Sequence, residues 1–323
     1  MLKQLIGKYG NLLRIVFSAV VIAMIFWHPS IDVKSISEII KKLNVEYIIP
    51  FVLLRFLTIS LISFRLQCVL SKQNLNYNLI GVIKLYFIGR FYSQFLPSQY
   101  GGDIVKAYIV SKDEQKKTPA FSSILFDRLL GIISNFFLVF VIVLIFMDEL
   151  SFLGSMRYYL VLVPVVFMAG LYLFSRKPTV NMVCNTFKRL KFREIGIKIE
   201  EFFRSVVSFK KDKFFLLTVF FLSLFMQIIN YSSFYTISLM TNMTVHWRYF
   251  FIFSPIIFML TVLPVSLNGI GVRESGNIFF FAKVGVAANQ AFSYSLLILF
   301  AFVIEGIIGG VINLLGKYEL KSK

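Results

Sequence analysis

Apolar residues fall in long blocks separated by short basic stretches. Crossing a bilayer as a helix takes about 20 apolar residues, each rising roughly 1.5 Å. Six blocks meet that need: 11–27, 46–67, 121–146, 158–175, 214–241 and 291–315. Two further apolar segments are interrupted. Residues 79–96 contain Lys84 and Arg90 and stop at Pro97; residues 249–263 contain Pro255, stop at Pro264 and resume over 276–287. Between the first two blocks, Ile31, Ile36, Ile39, Ile40 and Leu43 recur near helical spacing, which predicts an amphipathic helix within 28–45 on the outer surface. The stretch 187–213 alternates apolar and basic residues. It reads as a pair of cytoplasmic interfacial helices or as a docking surface for a cytoplasmic enzyme.

Basic residues orient the blocks. Segment 176–213 carries eleven, including Arg176, Lys188, Arg193 and Lys210, against Glu194, Glu200, Glu201 and Asp212. Lys and Arg collect on the cytoplasmic side, so this segment and both basic ends of the chain belong inside. Six spans satisfy these placements if each interrupted segment returns to its own side. The first must dip in from the cytoplasm, because 106–117 is basic, and the second from outside. The reading is an all-α polytopic membrane protein with about six full transmembrane helices. Two oppositely oriented re-entrant helical hairpins complete it, in an inverted-repeat-like plan. One integral membrane domain covers 1–323. Its first half, 1–175, holds the re-entrant element 79–110, the loop 176–213 is cytoplasmic, and the second half, 214–323, holds the element 249–287.

Composition agrees. Hydrophobic residues make up 58% of the chain and charged residues 15%, against about 45–50% and 25% in soluble domains. The net charge of +18 lies mostly between spans, where charge sorting and anionic headgroups account for it, so no nucleic-acid partner is expected. The run from Ile15 to Trp27 lacks a small-residue cleavage site and reads as an uncleaved span. Cys68 and Cys184 read as lone thiols, and no metal site or cofactor is expected. His28 and His246 read as interfacial residues.

The two breaks resemble each other. One reads LPSQYGGDIVK over 96–106, the other LPVSLNGIGVRE over 263–274. Each opens on Leu-Pro, places a glycine three residues after a serine (Ser98 to Gly101, Ser266 to Gly269), and reaches a valine followed by a base (Lys106, Arg273). Proline removes a donor and disfavours helix in the residue before it, so each break ends one half-helix. Glycines at 101, 102, 269 and 271 allow positive φ and close backbone approach. The outgoing half-helices should begin near Asp103 and Gly271, where free amides favour a phosphate and Lys106 and Arg273 add charge. A local reading also fits: Asp103 and Asn268 as N-caps, Glu274 as a dipole partner and the glycines as conformational devices.

Charges inside spans need partners or a pathway, since each costs at least ~2.5 kcal/mol to insert. Arg55 lies within the second block, and Arg65 lies toward its cytoplasmic end, where it can snorkel. Asp127 and Arg128 are neighbours that cannot face each other on a helix, so each must pair elsewhere, Asp127 with a base of the first break. Glu305 should face the interior, with Gly306, Gly309 and Gly310 marking close helix packing.

Taken together, Leu96–Pro97, Gly101–Gly102–Asp103, Lys106, Asp127–Arg128 and Asn268–Gly269–Gly271–Arg273–Glu274 resemble the lysylphosphatidylglycerol synthase transmembrane-region family, whose members are also described as flippase-like. The resemblance covers essentially the whole chain. The family often has Arg where Lys106 stands, and commonly Asn before Leu-Pro, where this chain offers Ser93 and Gln94. Arginine grips phosphate bidentately and lysine acts as a point charge. The resemblance implies translocation of lipids with charged or glycosylated headgroups. Some members carry a fused soluble aminoacyl-transferase domain, which these 323 residues do not contain, so the aminoacylating enzyme itself is not expected.

The leading expectation is a plasma-membrane flippase or facilitator for an anionic, aminoacylated or polyprenyl-phosphate-linked lipid. Its substrate-binding candidates are Ser98, Gly101, Gly102, Asp103, Lys106, Asp127, Arg128, Asn268, Gly269, Gly271, Arg273, Glu274, Arg55 and Glu305. A membrane-embedded transferase using Asp103, Asp127 or Glu274 is one alternative, although no nucleophile triad or nucleotide-binding loop accompanies them. A scaffold for a cytoplasmic glycosyltransferase or synthase is another. A homo-oligomer is compatible with either.

Overall fold

A computed structural model describes residues 33–96, 101–174, 209, 212–262, 266 and 269–316. Among the described residues every regular element is helical. The α-helices are α1 (Val33–Lys41), α2 (Ile48–Ser71), α3 (Leu79–Phe95), α4 (Gly101–Glu114), α5 (Lys117–Ile145), α6 (Met156–Phe174), α7 (Lys213–Met240), α8 (Trp247–Val262), α9 (Val272–Ala282) and α10 (Ala288–Leu314).

Five helical segments are long and apolar enough to cross a membrane: Val45–Ser71, Lys117–Ile145, Met156–Leu173, Lys213–Met240 and Ala288–Leu314. They coincide with five of the six expected spans. The sixth, 11–27, lies outside the described residues, as do Ser98, Asn268 and nearly all of 176–211. The spans leave large apolar side chains uncovered, including Leu53, Phe56, Ile145, Val166, Phe221 and Ile307. Water would penalise such faces, whereas lipid tails match them. The chain is a multi-pass membrane protein.

Local sequence sets the helix ends. Pro50 and Pro119 sit in the first turns of α2 and α5, where a missing N–H costs nothing. α3 and α8 each end two residues before a Leu-Pro proline, Pro97 or Pro264. The second break is turned by Gly269 and Gly271, with φ of 75° and 87°, values that side chains rarely accept. The expected restarts are observed at Gly101 and Val272.

Each helix pair folds back on itself. At Gly102 an added Cβ would run into the Gly89 carbonyl and the Ser93 hydroxyl, so the start of α4 lies directly on the end of α3. On the other side, Gly276 of α9 sits against Ile257 of α8, and the Phe280 and Phe281 rings pack on Phe253. In each pair the start of the second helix touches the first.

The chain divides into two compact units. One takes Met1–Ser60, Lys84–Gly102 and Met226–Tyr318; the other takes Leu61–Ile83, Asp103–Phe225 and Glu319–Lys323. The boundary runs through α2, α3, α4 and α7 and does not follow the sequence halves. In the first unit, α9 packs on α8 and α10, and α1 lies on α10 through Ile36 and Phe292. Its core is aromatic: Phe250, Phe253, Phe281 and Tyr294 are fully buried. In the second unit α5 packs on α6, and Val69, Phe126, Leu130, Phe209 and Val219 form a core cluster.

Candidate functional site: two buried charge clusters

The first cluster is made possible by glycine. Gly306, Gly309 and Gly310 of α10 face α3, where added methyl groups would overlap the Gln94 amide, the Phe87 carbonyl and the Phe91 ring. Small residues let the two backbones meet closely, as the sequence suggested. That approach brings the α3 stripe Tyr86, Arg90 and Gln94, spaced i, i+4, i+8, onto α10. Gln94 Nε2 donates to the Phe302 carbonyl at 2.8 Å, tying the end of α3 to α10.

Glu305 is the focus. Its side chain is buried, as expected. Oε1 accepts from Arg55 Nε at 2.5 Å, and Oε2 accepts from Arg90 Nε at 3.0 Å and the Tyr86 hydroxyl at 3.3 Å. Arg55 also donates from Nη1 to Asn230 Oδ1 at 2.7 Å. One helical turn before Glu305, the Phe302 ring serves three guanidinium groups. Its centroid lies 3.9 Å from the Arg90 carbon, 5.4 Å from that of Arg55 and 5.6 Å from that of Arg273. An electron-rich face attracts each cation.

Arg273 is not the free base expected at the second break. Its Nη2 and Nε both donate to Glu274 Oε1, at 2.5 and 3.0 Å. Glu274 Oε2 accepts the Gly271 N–H at 2.6 Å, so one of the amides at the start of α9 is already satisfied. The N-cap position is Gly271, which removes Asn268 from that role. Nearby, the buried Ser266 hydroxyl has no hydrogen-bond partner among the described residues. Among the described residues, three guanidiniums (Arg55, Arg90, Arg273) and two carboxylates (Glu305, Glu274) leave this cluster one positive charge in excess.

The second cluster belongs to the other unit. Arg65 is 4% exposed and does not snorkel. It grips Asp127 bidentately, Nε to Oδ1 at 2.7 Å and Nη2 to Oδ2 at 3.1 Å, and its Nη1 donates to Ser223 Oγ at 2.9 Å. Asp127 thus pairs with a base from α2 and not with one from the first break. The planar guanidinium fork matches a carboxylate better than an ammonium does, which favours this pairing over Lys106. Lys106 instead bonds Asp103 at 2.5 Å across one helical turn, and Arg128 Nε stands 3.8 Å from Asp103 Oδ2. Asp103 is the third residue of α4, inside its first turn and not the cap before it. Asp127 and Arg128 do pair separately.

Sequence reading missed Arg90, Tyr86, Asn230 and Phe302. The polar stripe at 86, 90 and 94 on an otherwise apolar helix was the available signal for the first two. Asn230 and Phe302 gave none, since an amide or a phenylalanine in a span is ordinary. Arg65 was seen, but its depth was not.

Arg273 and Glu274 of the first cluster, and Asp103, Lys106, Asp127 and Arg128 of the second, belong to the motifs read in the sequence. The family model described as the lysylphosphatidylglycerol synthase TM region matches residues 11–309. The chain belongs to this family. No curated protein and no solved structure matches it significantly. Family membership and the five spans together fit a membrane protein with a lipid-related role.

Proposed function

We propose that this protein facilitates translocation of a phosphate-bearing lipid across the plasma membrane. Anionic phospholipids, their aminoacylated forms and polyprenyl-phosphate-linked glycolipids all belong to that class. The supporting observation is the convergence of Arg55, Arg90 and Arg273 on Phe302, with two carboxylates to balance them among the described residues. A charge within a span costs about 2.5–3.5 kcal/mol on insertion scales, so an excess base there has a use beyond anchoring helices. A lipid phosphate passing through the hydrocarbon region needs such a counter-charge.

In this reading the two helical hairpins are re-entrant and dip in from opposite faces, with both chain ends cytoplasmic. The shared Leu-Pro opening, the matched helix ends and the basic segments at 106–117 and 176–213 support it. Irregular backbone at membrane depth is tolerated where protein or a water-filled cavity covers it, and inverted hairpins around a midplane site are a recurring transporter plan.

The test is reconstitution into vesicles of phosphatidylcholine and phosphatidylglycerol carrying fluorescent phosphatidylglycerol on both leaflets. A membrane-impermeant quencher should bleach about half the signal in empty vesicles and nearly all of it when the protein is present. Bleaching that stays at half with folded protein, for this lipid and for a polyprenyl phosphate, would reject the transport reading.

A further inference from the structure

The two carboxylates of the first cluster are not shared evenly. Glu305 is already neutralised by Arg55, which meets Oε1 at 2.5 Å and is itself buried. Arg273 is matched by its neighbour Glu274. The surplus positive charge is therefore that of Arg90. Only Nε of Arg90 is engaged, on Glu305 Oε2; Nη1 and Nη2 make no hydrogen bond with any described residue. The side chain keeps 28% exposure, while that of Arg55 keeps 9%. Its guanidinium lies closest of the three to the Phe302 ring, and the Nε bond to Glu305 fixes its direction. A partly exposed guanidinium with two terminal nitrogens unused among the described residues is a fork for an oxyanion.

We propose that Arg90 is the phosphate-coordinating residue of this cluster, taking an oxyanion between Nη1 and Nη2 while Nε stays on Glu305. This rests on reading the cluster as a lipid-headgroup site and names the group within it that touches the phosphate. Tyr86 and Glu305 act as positioning residues: the hydroxyl and Nε share Oε2, which holds the carboxylate and the fork in one arrangement. The ligand chemistry is a phosphate ester or phosphate ion. A headgroup on a lipid and a free phosphate both present it, and the experiment must separate them.

Binding is read by native mass spectrometry of the detergent-solubilised protein with short-chain phosphatidylglycerol, inorganic phosphate and short-chain phosphatidylcholine. Arg90→Lys keeps the charge and loses the fork; Lys84→Gln, on the same helix and outside the cluster, is the control. The wild type and Lys84→Gln should retain phosphatidylglycerol equally, and Arg90→Lys should bind it about tenfold more weakly with an unchanged melting temperature, a loss that about 1.5–3 kcal/mol in one charge-assisted bond produces. Competition by inorganic phosphate at similar concentration would assign the site to free phosphate and reject the lipid reading while keeping Arg90 as ligand. Unchanged affinity in folded Arg90→Lys overturns the role of Arg90 and leaves transport by the wild type to be judged in vesicles. If Arg90→Lys melts early, Arg90→Gln removes the surplus charge and leaves the Arg55–Glu305 pair in place, and retained phosphatidylglycerol binding by that folded variant overturns the proposal.

Discussion

Arg55 Nε and Glu305 Oε1 meet at 2.5 Å although 250 residues separate them in the chain. Each lies inside an apolar span, Arg55 in α2 and Glu305 in α10, and each is more than nine-tenths buried. Removing one partner leaves a charge uncompensated, which typically costs about 3–5 kcal/mol, whereas removing both with apolar residues of similar size is often near neutral.

A double-mutant cycle should show this asymmetry. Arg55→Met and Glu305→Met should each lower the melting temperature of the detergent-solubilised protein strongly, and the double variant should recover much of the loss. Because Arg90 also bonds Glu305, the recovery will be partial. Strictly additive effects of the two substitutions would show that the pair is not coupled.

Glycine spacing on α10 gives a second expectation. Gly309→Ala places a methyl group on the Phe87 carbonyl of α3, an overlap of backbone that no side-chain rotation can relieve. Overpacking of this kind costs about 1–3 kcal/mol. Gly170→Ala in α6 is the matched control, since nothing lies within 4 Å of the added atom. Thermal unfolding should separate the two variants, with Gly309→Ala melting earlier than the parent and Gly170→Ala unchanged or slightly more stable.

Much of the scaffold was legible because the bilayer imposes one rule at a time. Five expected spans appear where long apolar runs predicted them, and α3 and α8 each end beside Leu-Pro. Burial of Glu305 and the glycine contact beside it also followed from one intramembrane acid flanked by small residues. Partner choice did not. Arg65 could reach the interface by its length or turn inward to Asp127, and only the placement of α5 beside α2 decides. Arg273 looked available because periodicity says nothing about a bond to the next residue, where backbone neighbours can pair only through bent side chains. The division into two units was illegible for a similar reason: it cuts through four continuous helices that the sequence reads as uniform.

Acid should weaken one end of the second unit. Asp212 accepts the Phe215 N–H at 2.9 Å, capping α7, and Lys72 Nζ bonds its other oxygen at 2.5 Å. The bond from Lys72, the capping amide and the lysine charge hold its carboxyl below the usual range. A depressed carboxyl stabilises the fold above its unfolded-state value, and that contribution disappears as pH falls through the lower folded-state value. Both side chains are more than a third exposed, so the effect is small and screened by salt. Asp212→Asn should melt below the parent at neutral pH in low salt, and the gap should narrow as pH falls below the usual carboxylate range. A gap of constant size throughout the acid range would assign the loss to capping geometry and not to charge.

The cytoplasmic placement proposed for both ends can be checked chemically. With Cys68 and Cys184 replaced by serine, Leu2→Cys and Ser322→Cys should each resist a membrane-impermeant thiol reagent in intact cells and react after lysis. Labelling of either in intact cells would reverse the orientation argued from the basic segments.

Glu274 offers the sharpest test of the charge balance. Its Oε1 occupies Arg273, and its Oε2 holds the Gly271 N–H. Glu274→Gln keeps a side-chain oxygen for that amide, so the start of α9 should survive. The carboxylate charge is gone, and the cluster moves from one surplus positive charge to two. Arg273 then has nitrogens to offer a phosphate, at a depth where a charge-assisted bond is worth about 1.5–3 kcal/mol. Short-chain phosphatidylglycerol should bind the variant about tenfold more tightly. Its movement across vesicle membranes should slow, because a lipid held harder leaves later. Arg273→Gln in the same background should return affinity to the parental value. Tighter binding that survives removal of Arg273 would place the added grip elsewhere, and no change in either variant would take Arg273 and Glu274 out of the lipid path.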